Sequence, residues 1–123
     1  MIIKDFMDIL AWQKAQVLTV ELYKSLDMED VFLKQQILRA SAECTSIIAA
    51  GYERWSLGEF KDYLYMAKTK SAETRTLLSI ARDLGQIDNK TYDVLNVQVE
   101  DVSKLIYGFV KTFLDKKKKP TEE

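Results

Sequence analysis

Proline occurs once in the sequence, at Pro120, so from Met1 to Lys119 nothing removes a backbone N–H or forces a helix to break. A chain so unpunctuated is free to form long helices, and its apolar residues recur at steps of three and four rather than two. Ala11, Ala15, Leu18, Leu22 and Leu26 make the first stripe, with Trp12 and Tyr23 beside it and Asp8 as a candidate N-cap. The acidic, non-periodic stretch from Asp27 to Asp30 reads as a connection. A second stripe through Leu33, Ile37, Ala40, Cys44, Ile47 and Gly51 predicts a helix over Val31 to Arg54, with Gly51 as a candidate end. Its middle is built mainly of Ala, Ser, Thr and Cys, small side chains that let neighbouring backbones approach closely.

Ser56 followed by Glu59 has the form of a capping box and predicts a third helix from Ser56 to Leu84, stopped at Gly85. That helix carries two apolar stripes, one from Phe60 through Leu64, Ala67 and Leu78 to Ala81, the other through Tyr63, Met66, Leu77, Ile80 and Leu84. Asp88 is placed to cap a fourth helix, whose Tyr92, Leu95, Val99, Val102, Ile106, Phe109 and Phe113 advance in an unbroken three–four alternation. Leu105, Val110 and Leu114 widen that seam to a bundle-type face. No alternating run bounded by turn residues competes as a strand. The expected fold is all-α, an antiparallel up-down-up-down four-helix bundle, with residues 1–115 as one domain and 116–123 as a disordered Lys-rich polar tail.

Composition then removes most chemistry. Without His, the His-based zinc sites, the Glu-x-x-His di-iron sites of bundles and the Ser-His-Asp and Cys-His nucleophile systems are excluded. Four dispersed glycines supply no phosphate-cradling loop. No metal or cofactor is expected, and catalysis by carboxylates or lysine is the residual enzyme class. Lone Cys44 in an apolar helical stretch reads as a small buried hydrophobe more readily than as a reactive thiol, which fits a cytoplasmic protein. No apolar run is long enough for a membrane span or an export signal.

With 18 Lys+Arg against 19 Asp+Glu, the net charge is -1, so any polyanion site has to be local. Arg54, Lys61, Lys68, Arg75 and Arg82 recur at seven-residue intervals, and the interleaved Tyr65, Ala72 and Ser79 bring no acid. From Lys61 to Arg82 this makes a positive edge about 32 Å long, able to track a phosphate backbone with Tyr65, Tyr52 or Trp55 as stacking faces. The plainer reading is that Lys and Arg stems flank a helical seam while their heads stay wet. Lys70 and Glu73 interrupt the second stripe of the third helix and can pair at i,i+3. Arg39, set among small apolar residues, is placed to meet Glu73 from the facing helix, giving a polar core or interface cluster. The Lys116 to Lys119 run, diluted by Asp115, Glu122 and Glu123, reads as a solubilising terminus.

Four segments resemble the four-helix-bundle family named for proteins encoded in 23S rRNA intervening sequences. They are Phe6 with Leu10, Trp12, Gln13 and Lys14; Gln36, Ile37, Arg39 and Ala40 followed by Ile48, Ala49, Gly51, Tyr52 and Arg54; Ser56, Glu59, Phe60, Leu64, Ala67 and Glu73; and Leu84, Gly85 and Ile87. Ile47 and Ala50 stand where the family usually has Asn and Glu, and Thr69-Lys70 where it has Gly-Ser. The resemblance implies homo-oligomers, with ring-shaped pentamers the known arrangement, and no established enzymatic activity. A related basic branch, the accessory proteins of diversity-generating retroelements, is associated with nucleic acid. The expected partners are therefore further copies of this chain and, through the basic helix edge, RNA or a nucleic-acid-associated protein, with no membrane; a protein-interaction scaffold without any nucleic-acid role is the alternative.

Overall fold

The structure is a computed structural model and describes residues 2–54 and 56–115. The expected Lys-rich tail and Trp55 lie outside the described residues. Four helices follow one another: α1 Leu10–Ser25, α2 Val31–Tyr52, α3 Leu57–Asp83 and α4 Asn89–Phe109. A 3-10 turn, Phe6–Asp8, precedes α1, and a π-helical turn, Val110–Leu114, extends α4. No strand occurs among the described residues.

Each helix packs on its two neighbours in the cycle α1–α2–α3–α4–α1, while the diagonal pairs do not meet, so the cross-section is a square. The pairing is antiparallel. Along α3 and α4, start meets end at Lys61 and Asp115, middle meets middle at Arg75 and Glu100, and end meets start at Arg82 and Tyr92. The same reversal holds for α2 and α3, where Tyr52 meets Phe60 and Glu43 meets Lys70. Gln86, in the α3–α4 connection, accepts the Asp30 N–H at 2.8 Å, tying it to the α1–α2 connection at the same end.

Local sequence explains most boundaries. Asp30, Ser56 and Asp88 accept the backbone N–H of Leu33, Glu59 and Thr91 at 3.0, 3.0 and 2.7 Å, each satisfying a donor the helix start leaves open. Gly85 adopts φ 74°, the left-handed geometry that lets Gln86 N–H reach Ala81 O and Gly85 N–H reach Arg82 O, closing α3 with a Schellman motif. Two expectations are corrected. Asp8 does not cap α1: its carboxylate accepts the N–H groups of Lys4 and Asp5, and the residue before α1 is Ile9, fully buried and without a side-chain cap. Gly51 does not end α2. It lies inside the helix, buried against α3, where Phe60 Cδ1 would stand 3.2 Å from an added Cβ and Tyr63 Cβ closer still. The helix therefore ends at Tyr52 rather than Arg54.

The α4 seam is buried from Leu95 to Phe109, and the π turn carries Val110 and Leu114 into the core as well. At that end Tyr52, Phe60, Phe109 and Phe113 form a chain of ring contacts with centroids 5.0–5.9 Å apart. The middle is narrower and partly hydroxylic. Thr19 on α1 reaches Ser41 Oγ at 2.7 Å and Thr45 Oγ1 at 3.3 Å, while Ser71 and Thr74 donate to the carbonyls of Lys68 and Lys70. The void beside Ser41, Cys44, Ser71 and Thr74 measures about 10 Å³, no more than one water needs. The interior at this level is filled, and function has to be sought on the sides.

Candidate functional site

Of the square's four sides, the α3–α4 side carries the basic series. Lys61 Nζ lies 2.7 Å from Asp115 Oδ1. Arg75 Nη2 lies 3.1 Å from Glu100 Oε2, and its Nε donates to Asn96 Oδ1 at 2.9 Å. Arg82 pairs with Asp83 at 3.1 Å and covers the Tyr92 ring at 4.2 Å. Arg54, in the α2–α3 connection, pairs with Glu59 at 3.4 Å and lies 5.5 Å from the Tyr63 ring centroid. Glu59 thus turns to Arg54 instead of completing the expected capping box, and its hydrogen bond holds the Arg54 guanidinium above its ordinary pKa. Lys68 alone of the five has no ion pair among the described residues.

The edge expected to be free of acid is therefore lined with it, because Glu100 and Asp115 arrive from α4 and cannot be seen in the heptad of α3. Lys61, then Lys111, holds the Asp115 carboxyl below the usual carboxylate range. Of the candidate stacking faces, Tyr65 is exposed, whereas Tyr52 meets Phe60 edge-on inside the aromatic end.

The α2–α3 side carries the polar cluster, with a different centre from the one expected. Lys70 and Glu73 do pair, at 3.2 Å. Arg39, however, is 81% exposed at its side chain and pairs with Glu43 at 3.4 Å rather than with Glu73. Glu43 is the hub, since Lys70 Nζ also lies 3.0 Å from it. Hydrogen bonding to Lys70 holds Glu43 below its ordinary value, and Glu43 followed by Glu73 raises Lys70. The cluster lies at the surface, not in the core, and Glu43 was missed although it stands four residues after Arg39 on one helix face. Around it Phe32, Met66, Ile80 and Leu84 are exposed; Phe32 alone is 71% so.

The opposite, α1–α4 side has a groove of about 480 Å³, with Leu10, Val17 and Leu105 among its apolar lining. Lys14 and Glu21 from α1 and Asp101 and Lys104 from α4 stand along it, exposed and without ion pairs among the described residues. Gln98 Oε1 is buried at the groove wall and accepts no hydrogen bond within the chain.

The interior supplies no reactive group of note. Cys44 is buried, and burial pushes its thiol up to about 12, so the nucleophilic thiolate is suppressed. No group of three or more Cys, Asp or Glu placed to hold a metal occurs among the described residues, and none of the helices there is long and apolar enough to cross a membrane.

Four antiparallel helices with a filled waist and apolar outer sides define the class, a helical-bundle protein whose distinguishing features face outward. The chain belongs to the 23S rRNA-intervening sequence protein family, whose model matches residues 7–108. Its fold is similar to the crystal structure of a protein of unknown function from the S23 ribosomal protein family of Bacteroides thetaiotaomicron. That likeness, at 24% identity, has a TM-score of 0.77 and covers 85% of this chain and 98% of the other. No curated protein matches the chain.

Proposed function

We propose that this protein is a non-enzymatic cytoplasmic scaffold that works as an assembly of its own copies, five being the number the family resemblance implies. One observation carries the reading. Large apolar side chains stand exposed on two opposite sides of a bundle whose waist is already filled, which is more apolar surface than a lone chain of this size needs to leave in water. Symmetric self-association is the commonest way soluble proteins cover such surface. Light scattering at micromolar concentration tests it: the expected mass is a multiple of 14.2 kDa, and a clean 14.2 kDa species contradicts it.

A second reading, contact with RNA along the basic flank, is supported by Lys68, which has no carboxylate partner among the described residues and stands one turn from exposed Tyr65. The acids beside Arg54, Lys61, Arg75 and Arg82 weigh against a continuous phosphate track, because each would have to give up its partner. Phosphate contact has to weaken steeply as salt rises. RNA binding that is flat in salt, or unchanged when Lys61, Lys68 and Arg75 are all replaced by Ala, contradicts this second reading.

A further inference from the structure

We infer that assembly is heterologous: the α1–α4 groove of one copy receives the α2–α3 side of the next. The inference rests on the self-assembly reading above and says which surfaces meet.

The two sides differ in shape. Across α1 and α4 the surface is concave, about 480 Å³ deep between Leu10, Val17 and Leu105. Across α2 and α3 the backbones approach closely, as buried Gly51 against Tyr63 requires, and Phe32, Met66 and Leu84 stand out from them. A hollow set against its own copy leaves a void, whereas a ridge of exposed apolar side chains can fill it, and unfilled space forfeits dispersion contact.

The charges fit the same pairing. Lys14, Glu21, Asp101 and Lys104 give the groove two cations and two anions, all without ion pairs within the chain among the described residues. Arg39, Glu43, Lys70 and Glu73 give the ridge the same balance, so each side offers both signs and neither offers the single-signed field that a polyanion needs. Gln98 Oε1, an acceptor left unbonded in the groove wall, is open to a donor from the incoming copy. A buried acceptor without a partner is costly, and an interface that supplies one relieves that cost.

The geometry has a consequence that a two-fold interface lacks. Every contact uses one groove and one ridge, so damage to either side destroys all contacts, yet two differently damaged chains keep one good contact between them. The experiment uses Val17→Asp for the groove side and Met66→Asp for the ridge side, with Val94→Asp and Leu84→Asp as a second pair; all four positions are exposed in the single chain, and retention of helical circular dichroism checks each fold. Sedimentation velocity is then run on wild type, on each variant and on equimolar mixtures. The expected result is assembled wild type, single chains for each variant alone, and a discrete two-chain species when a groove variant meets a ridge variant. Folded variants that keep the wild-type mass, or mixtures that stay as single chains, overturn the pairing. Wild type sedimenting as one chain overturns the self-assembly reading itself, a different failure seen before any variant is made.

Discussion

Gly51 on α2 and Tyr63 on α3 set the closest approach between these two helices: a Cβ at Gly51 would overlap the Tyr63 Cβ, an atom fixed to the backbone that no rotamer change can move aside. By contrast Gly108, on α4, has nothing within 4 Å of the same added atom. The pair separates packing from intrinsic helix preference. Gly51→Ala costs about 1–3 kcal/mol by overpacking, against a gain of about 1 kcal/mol in helix propensity. Gly108→Ala keeps the gain alone, about 0.5–1 kcal/mol. Urea unfolding should show a lower midpoint than wild type for the first and a higher one for the second. A raised midpoint for Gly51→Ala contradicts the close approach.

Asp115 ties the π turn after α4 to the start of α3 through Lys61, and its carboxyl is held below the ordinary value of 3.8 chiefly by that hydrogen bond. A depressed folded pKa gives stability that is present above the unfolded value and is lost as pH falls through the folded one. Asp115→Asn is therefore less stable than wild type at pH 7, and the gap narrows as pH falls from about 4, the unfolded carboxylate range, downward. Urea midpoints of both proteins from pH 7 to pH 2.5 check this. A gap independent of pH places the contribution of Asp115 elsewhere than in its charge.

Glu43 holds Lys70 more firmly than Glu73 does, at 3.0 Å against 3.2 Å, and leads the causes that raise the Lys70 pKa. Glu43→Gln should therefore lower the Lys70 titration, followed by NMR at its Cε, further than Glu73→Gln. Both variants should stay within about 1 kcal/mol of wild-type stability, the range of partly exposed pairs. A larger drop with Glu73→Gln puts the hub on the wrong helix.

What the sequence disclosed and what it hid divide along one physical line. Signals that act within a turn were legible: the N-caps at Ser56 and Asp88, the left-handed stop at Gly85 and the α4 seam all lie where spacing placed them. Signals whose cause lies on another helix were not. Gly51 reads as a helix end until Tyr63 is seen against it, and Arg39 reads as embedded among small residues although its own face of α2 turns outward. The basic heptad was visible residue by residue, but Glu100 and Asp115, which neutralise part of it, come from more than twenty positions away. The second apolar stripe of α3 was also legible, and it is the exposure of Met66, Ile80 and Leu84 that makes it an outward surface rather than a core face.

Met66 supplies the most direct test that the apolar sides are covered by other copies. In the single chain Met66 is 47% exposed and Met7 50%, nearly equal, while Met28 is 8% exposed and serves as the buried reference. Hydroxyl-radical footprinting of wild type at micromolar concentration, read by mass spectrometry, compares their rates of sulfoxide formation. The account predicts Met66 slowed toward Met28 while Met7 stays fast, with the difference vanishing on dilution to single chains. Equal rates at Met66 and Met7 at every concentration would contradict it.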